Sequence, residues 1–218
     1  ATRDDASRKA DKSLIAPLLP ITPEDRLLQR SSDVRKDYRA FERTRVQHTP
    51  IVDEDDHPAT IENPMLVGDS NGLGQNVFGG VILSQMYVTA QRAIEQHLGF
   101  EPGCPTGSDT FVCVRQDRMD FLQPAKIGES LRSKAVITKT FTTSIEVQVE
   151  CEAREAAGTP ARLVATTYFV FVQLDGDNRP TAAKPWTPAT PRQLERERSA
   201  VIRRRLREDE ATTFGNSI

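Results

Sequence analysis

Apolar and polar residues alternate in the second half of this chain with the two-residue period of half-buried β-strands. The clearest case has one apolar face, made of Ile145, Val147, Val149 and Cys151. Its polar face is made of Glu146, Gln148, Glu150 and Glu152. Short links between such segments favour antiparallel pairing. The predicted strands are residues 60–67, 110–121, 130–139, 144–153 and 162–174.

A different spacing predicts a long helix that ends near Leu98. Apolar residues recur at Ile82, Met86, Ala90 and Ile94, which is the spacing of one helical face. Further apolar residues widen this face until only a narrow polar strip remains. We therefore expect the helix to be enclosed by other elements rather than laid on a surface.

A glycine-rich loop that starts at Asn71 leads into this helix, with Gly79 and Gly80 just before the predicted helix start. The first N–H groups of a helix have no partner within it, and the positive end of the dipole lies there. The loop is thus a candidate site for a developing negative charge. Alternatively, the glycines only form a tight turn, because the spacing of a nucleotide-binding fingerprint is absent.

One strand, a buried helix and an antiparallel meander together predict an α+β domain, residues 59–180, whose sheet curls around the helix. Residues 1–58 are polar and proline-broken, with a helix predicted from Thr22-Pro23 and an acidic linker expected to be solvated. Residues 181–218 combine a proline-rich segment with a charged helix. Its arginines are expected to form a solvated face, or else to contact phosphate.

Composition excludes several function classes. With 218 residues and a net charge of −2, the chain has no global basic field for nucleic acid. It contains no apolar run of transmembrane length. Cys104, Cys113 and Cys151 have no CxxC spacing, and the three histidines are scattered, so no metal site or disulfide framework is expected. The chain starts without a methionine, so targeting cannot be read from it.

A repeated pattern, PxxPxTP, occurs at residues 17–23 and again at residues 185–191. Both copies follow an acidic turn and precede a charged helical segment. Internal repeats of this kind indicate duplicated units. We therefore predict that residues 1–45 are the tail of a preceding copy of the same domain.

Four segments in residues 60–180 resemble, in order, the hotdog-fold acyl-CoA thioesterases. The repeat and a tyrosine on the helix are most similar to the second domain of the mitochondrial tandem-hotdog branch. This resemblance implies a mitochondrial location; the alternative is a cytoplasmic one. The segments are NGLGQNVFGGVILSQM (71–86), VRQDRMDFLQPAKIGESL (114–131), TTSIEVQVE (142–150) and LVATTYFVFVQLDGDNRP (163–180).

The resemblance implies hydrolysis of acyl-CoA to fatty acid and CoA, at a composite site between two hotdog domains. It implies no cofactor beyond the coenzyme A of the substrate. Asn71 would orient water or the thioester carbonyl, and the Gly80 N–H would donate to the oxyanion. An insertion at Gln75 leaves Asn71 and Asn76 as alternatives for the same role.

Tyr87 stands where the family carries its acidic residue. A phenol stays protonated near neutral pH and cannot replace a carboxylate base. Either the acid comes from a preceding hotdog domain, which we favour, or this half has lost its chemistry. Asp117 and Asp120 are further candidates for the acid, although acids on a strand edge are more often solvated or paired.

Substrate contacts are expected from the helix, the strands and nearby cations. The acyl chain is expected to follow the helix past Met86 and Tyr87, and the coenzyme A phosphates need cations, each of which could equally be an ordinary surface charge. Thr143 and Ser144 match the pantetheine-lining strand, or simply start a strand. The substrate-binding candidates are Gly79, Met86, Tyr87, Arg115, Arg118, Lys126, Lys134, Thr143 and Ser144.

A second class of function is also compatible with these residues. A hotdog domain without its acid would serve as a dimerisation or scaffolding module, or as an acyl-CoA-binding regulator. A second hotdog domain, in the same chain or in a homodimer, is the expected partner in either case.

Overall fold

The structure is a computed structural model that describes residues 56–72, 74–100, 110–155 and 159–215. It also describes Val52 and scattered positions between residues 22 and 36. The chain forms two compact units, Ala1–Thr49 and Pro50–Ile218. In the first unit, the described positions after Thr22 are helical, and the Arg26 N–H donates to the Thr22 carbonyl at 3.2 Å. The predicted helix start is therefore confirmed.

The second unit contains, in its described part, the strands and helices that the pattern predicts. Helix α1 includes both glycines in its first turn, whereas the sequence placed them just before it. The charged helix predicted within residues 181–218 is confirmed. The elements are β1 (Ala59–Pro64), a 3₁₀ turn (Val67–Asp69), α1 (Gly79–Leu98), β2 (Thr110–Phe121), β3 (Ser130–Thr140), β4 (Ser144–Arg154), β5 (Arg162–Leu174) and α2 (Pro191–Gly215).

The strands form a five-stranded antiparallel sheet in the described residues, in the order β1-β3-β4-β5-β2. Short hairpins connect β3 to β4 and β4 to β5, as antiparallel neighbours allow. Strand β2 lies at one edge of the sheet and pairs with β5 on its other side. With α1 packed on one face of the sheet, this is the hotdog arrangement that the sequence predicted.

The face of the sheet that contacts α1, which we call the inner face, is apolar. The helix buries Ile82, Met86, Ala90 and Ile94 against it. Each large apolar side chain removed from water contributes about 1.5–3 kcal/mol. The alternation in β4 is confirmed on this face, since all four of its predicted apolar residues belong to the core.

Gln85 supplies directional bonds between α1 and the sheet. Its buried side-chain amide donates to the carbonyls of Ile61, at 3.3 Å, and Leu131, at 2.9 Å. Its carbonyl oxygen accepts from Asn63 at 3.3 Å. Because Gln85 contacts β1 and β3 together, it fixes the position of α1 along the sheet as well as its distance from it.

The opposite face of the sheet, the outer face, is charged and also buried. Glu146, Gln148 and Glu150 are almost wholly enclosed. The Glu146 carboxylate accepts from Arg203 at 2.6 Å and from Arg207 at 2.8 Å. Burial raises the pKa of Glu146, but the two guanidinium groups outweigh burial and hold the pKa below its usual value.

Helix α2 covers this outer face, and the expectation of a solvated arginine cluster is wrong for its buried members. Arg196 and Arg203 are buried, and the Arg203 guanidinium lies 3.7 Å from the ring centre of Tyr168. The acidic linker is not fully solvated either. Val52 is buried, and the Asp56 carboxylate accepts from Arg196 at 2.7 Å. Opposite charges on distant segments attract one another, which single-segment patterns do not show.

Within the described residues, no helix combines the length and hydrophobicity needed to cross a membrane. The first copy of the proline repeat, apart from Thr22 and Pro23, lies outside the described residues. The relation of residues 1–45 to a preceding domain therefore stays a prediction.

Candidate functional site

The glycine-rich loop closes on itself just before α1. Ser70 and Val77 form an isolated antiparallel bridge, and the Asn71 N–H donates to the Asn76 carbonyl at 2.9 Å. Both asparagines therefore lie at the neck of the loop, and both are exposed. Gly72 has a φ of +81°, in the left-handed region that favours glycine. The geometry places the two asparagines together and leaves the choice between them open.

The start of α1 presents backbone N–H groups without a capping side chain. Phe78 is the N-cap residue and makes no side-chain cap hydrogen bond. Its carbonyl accepts from Val81 at 3.0 Å, so the N–H groups of Gly79 and Gly80 precede the first intrahelical bonds. Together with the helix dipole, they form a small region of positive potential beside the asparagine loop.

Two aromatic side chains flank these glycines and would have to move if either glycine carried a Cβ atom. A Cβ atom on Gly80 would lie 2.5 Å from Cε1 of Phe78. A Cβ atom on Gly79 would lie 3.0 Å from Cζ of Phe121. Both aromatic side chains are more than half exposed. They give the exposed helix start an apolar rim, which the sequence pattern did not single out.

The loop rests on the turn formed by residues 124–129. The Val77 N–H donates to the Ala125 carbonyl at 2.8 Å, and Asn76 forms an isolated bridge with Lys126. The Lys126 side chain is 60% exposed, and its Nζ lies 3.9 Å from a carboxylate oxygen of Glu155. Lys126 is therefore the predicted phosphate-binding cation that the described structure brings beside the loop.

The other predicted cations lie elsewhere. Lys134 is buried on the outer face, and its Nζ lies 3.2 Å from Glu152. Arg115 pairs with Asp117 at 2.8 Å on strand β2. The Arg118 side chain lies outside the described residues. The structure thus does not bring Arg115 or Lys134 together with the loop.

Thr143 and Ser144 lie at the opposite end of the sheet from the loop. Strand β3 starts directly after the supporting turn and ends directly before the hairpin that contains Thr143. Its 11 residues extend over roughly 36 Å. Within one domain, these two hydroxyls therefore cannot contact a group bound at the Gly80 N–H.

The position expected to carry an acid is part of the aromatic core. The Tyr87 ring lies 5.8 Å from the ring of Phe169 and 6.0 Å from that of Phe171, centre to centre. Met86, the preceding residue, is completely buried. Helix α1 therefore directs aromatic and thioether groups, and no carboxylate, into this part of the fold.

The two candidate acids on β2 belong to the outer face. Asp117 accepts from both Arg115 and Arg207, so its charge is already neutralised by two guanidinium groups. Asp120 stands between Met119, which packs on the core, and Phe121, which lies beside Gly79. Strand alternation therefore directs Asp120 away from the helix start. Neither position favours proton abstraction at the loop.

Sequence reasoning also missed an ion pair under the loop. The Arg162 Nη2 donates to Oε2 of Glu129 at 2.5 Å, and Glu129 is 3% exposed. Burial raises the pKa of Glu129, but the bond to Arg162 and the Lys126 N–H outweigh burial, so the pKa is lowered. The 33 residues that separate the pair carry no local signal of the contact.

Sequence comparison relates this chain to thioesterases. The model of the thioesterase superfamily matches residues 74–157. Acyl-CoA thioester hydrolase YciA of Salmonella typhimurium is 30% identical over 115 residues, which cover 51% of this chain and 79% of that protein. Acyl-coenzyme A thioesterase 11 of Mus musculus is 32% identical over 136 residues, or 62% of this chain. This match spans 21% of the mouse protein's length.

Structural comparison gives the same fold. The acyl-CoA hydrolase of Staphylococcus aureus, solved in complex with butyryl coenzyme A, coenzyme A and coenzyme A disulfide, superposes with a TM-score of 0.62. The alignment covers 75% of this chain and 95% of that one, at 23% identity. At 23% identity this likeness shows that the two proteins share the hotdog fold. An argument about function must therefore rest on the geometry of the loop and of α1.

Proposed function

This chain belongs to the thioesterase superfamily, and we propose that it supplies the asparagine loop and oxyanion donors of an acyl-CoA thioesterase. The reaction would release a free fatty acid and coenzyme A. The observation that carries the proposal is the open start of α1, where the N–H groups of Gly79 and Gly80 lie beside Asn71 and Asn76. Donors fixed in this way stabilise an oxyanion without having to reorganise during the reaction.

The proposed chemistry needs one water and one base. The thioester carbonyl oxygen would accept from the Gly80 N–H while Asn71 or Asn76 orients the water. Water adds to the carbonyl carbon, a base takes its proton, and the C–S bond then breaks to release the coenzyme A thiolate. Tyr87 does not supply that base, so the carboxylate is proposed to come from a second hotdog domain.

Strand β2 is the proposed contact with that second domain. It is an edge strand, and Val112, Val114 and Phe121 expose apolar surface along it. An exposed apolar edge is a template for pairing with another strand. To supply the base, the second domain would be the preceding repeat of a longer chain, which the PxxPxTP pattern suggests. A second copy of this chain would pair through the same edge but would bring Tyr87 and no acid.

Antiparallel pairing through β2 would also account for the distant hydroxyls. Phe121 ends β2 beside the helix start, and Thr110 starts β2 at the opposite end. In a two-fold antiparallel pair, the Phe121 end of one β2 strand lies beside the Thr110 end of the other. The Thr110 end carries the hairpin with Thr143 and Ser144, so those hydroxyls of one domain would approach Gly80 of the other.

The remaining substrate contacts are assigned by position. Lys126 would contact a coenzyme A phosphate because it is exposed beside the loop. The acyl chain would start against Phe78 and Phe121 and follow α1 towards Tyr87. The polar thioester carbonyl matches the open N–H groups, and the apolar acyl chain matches the aromatic rim.

The test compares Asn71→Ala with Asn76→Ala in steady-state hydrolysis of acyl-CoA by the protein paired with its second hotdog domain. Losing one oriented transition-state group should lower kcat by about 10²–10³ in one variant. The other variant serves as the matched control, because both side chains are exposed at the same loop neck. If both variants turn over at the wild-type rate, the loop has no catalytic role.

A second function is favoured by one specific observation. Tyr87 stands in the position of the acid and packs against two phenylalanine rings, which suits a domain that binds acyl-CoA without hydrolysing it. Calorimetric binding of a non-hydrolysable acyl-CoA analogue, measured beside turnover, separates the two functions. Binding without turnover in the paired protein would favour the binding module.

A further inference from the structure

The turn of residues 124–129 is held by one arginine from the start of β5. The Arg162 Nη2 donates to the Pro124 carbonyl at 2.8 Å and to Oε2 of Glu129 at 2.5 Å. The same Oε2 accepts from the Lys126 N–H at 2.8 Å. A single guanidinium and a single carboxylate thus fix the first, the third and the last residue of the turn.

Backbone hydrogen bonds connect residues 124–129 to the chain on both sides of the glycine-rich loop. After the loop, Val77 is bonded to Ala125, and Ile127 donates to Gln75 within it at 3.2 Å. Before the loop, the Met65 N–H donates to the Glu129 carbonyl at 2.8 Å, and Gly128 donates to the Met65 carbonyl at 2.9 Å. The exposed loop therefore depends on the turn for its position.

The Arg162–Glu129 pair is suited to this role by its burial. Glu129 is enclosed, and its Oε1 atom has no hydrogen-bond partner among the described residues. Bonds to a charged group are stronger than neutral ones, and Nη2 of Arg162 ties two points of the turn, the Pro124 carbonyl and the Glu129 carboxylate, to one atom. A buried carboxylate left without its cation would move towards water or take up a proton. Either change would release the turn.

We propose that Arg162 and Glu129 are positioning residues that set the place of Asn71 and Asn76 relative to the start of α1. Neither side chain needs to contact the substrate. The expected effect on catalysis rests on the proposed function. The expected effect on the position of the loop does not depend on it. Misplacing a reacting group by about 1 Å can cost 10²-fold in rate, so a released turn should slow turnover.

The experiment uses Arg162→Met, Glu129→Gln and the conservative Arg162→Lys, in the protein paired with its second hotdog domain. Arg162→Met should lower kcat at least about tenfold, because the asparagines lose their place relative to the helix start. KM should rise as well, because Lys126 belongs to the released turn. Arg162→Lys should recover part of the rate, since its ammonium can contact one of the two acceptors. The matched controls are Arg204→Met and Glu208→Gln, which remove an exposed ion pair of 2.7 Å on α2 and should leave kcat unchanged.

A second measurement does not need turnover. Amide hydrogen exchange at Asn71, Val77 and Ile127 should accelerate at least about tenfold in Arg162→Met, while amides of β4 keep their protection. Unchanged exchange at these amides, or equal acceleration throughout the sheet, would overturn the positioning role. Unchanged kcat in Arg162→Met, with an active wild type, would overturn it too. A wild type without turnover would count against the proposed function, and amide exchange would then decide the positioning role by itself.

Discussion

Along β4 the two faces of the sheet are equally buried, and they are held by different kinds of chemistry. On β4, Ile145 faces α1 and Glu146 faces α2, and both are 0% exposed. The inner face uses mainly non-directional apolar packing around Met86, with the hydrogen bonds of Gln85 as its polar exception. The outer face uses a network in which Glu146 is shared between Arg203 and Arg207. Alternation along a strand therefore predicts which face a residue is on, and does not predict whether that face is covered.

The difference has consequences for how each face responds to change. Apolar contacts tolerate small shifts and are insensitive to pH, whereas ion pairs in a low-dielectric interior need every partner. The catalytic elements proposed above belong to the inner side, where α1 starts. The outer face therefore serves mainly to hold α2 on the sheet.

The largest effect is expected from breaking the outer-face network. Arg203→Met leaves the enclosed Glu146 with one of its two guanidinium partners, and should destabilise the protein by about 3–5 kcal/mol. Urea unfolding at neutral pH measures the loss. As a control, the double variant Glu146→Leu with Arg203→Met should recover most of the stability, because it removes the buried charge as well. If the double variant is as unstable as the single one, the network is not what holds α2.

The corresponding change on the inner face should have a somewhat smaller effect. Met86→Ala removes a fully buried side chain and leaves a cavity, which should cost about 3 kcal/mol. This loss should be the same in low and high salt, since no charge is involved. Unfolding curves at two salt concentrations test it. A salt-dependent loss in Met86→Ala would contradict the division between the faces.

The smallest effect is a pH dependence on the outer face. Burial and the neighbouring Glu152 raise the pKa of Glu150 to about 8, against the pull of Arg196 and Lys134. The folded state then holds a proton that the unfolded state releases near pH 4.5, so stability falls as the pH rises between these values. Glu150→Gln should remove this dependence, a relative gain on the order of 1 kcal/mol between pH 7 and pH 8. Parallel pH profiles of the two proteins would contradict it.

Much of the fold follows from local sequence. The alternation of Ile145 with Glu146 and the spacing of Ile82 and Met86 are local signals, so they predicted the sheet and α1. The burial of the outer face was not predictable in this way, because Glu146 and Arg203 are 57 residues apart. A polar strand face has the same sequence whether water or a charged helix covers it.

The candidate site likewise has features that local sequence predicts and features that only the fold determines. Gly79 and Gly80 predicted an open helix start from sequence alone, because two adjacent glycines at the start of an apolar helix leave its first N–H groups accessible. The cations could not be ranked from sequence, since Lys126 and Lys134 are the same residue type and only the fold puts one beside the loop and the other under α2. The choice between Asn71 and Asn76 stays a prediction, because the structure brings both to the loop neck.

The central claim is that this chain carries the oxyanion donors and the asparagine loop of a thioesterase but not its base. Steady-state hydrolysis of acyl-CoA by this chain without a second, acid-bearing domain, compared with its Tyr87→Asp variant, tests the claim most directly. A general base is worth about 10²–10⁴ in rate, so the unchanged chain should be feeble and Tyr87→Asp should raise turnover. The melting temperature should fall in the variant, because the new carboxylate lies against Phe169 and Phe171. If the unchanged chain already matches the paired protein, the base lies within this domain and the claim is wrong. If Tyr87→Asp is folded at the assay temperature and gains no rate, the missing acid is not what limits turnover.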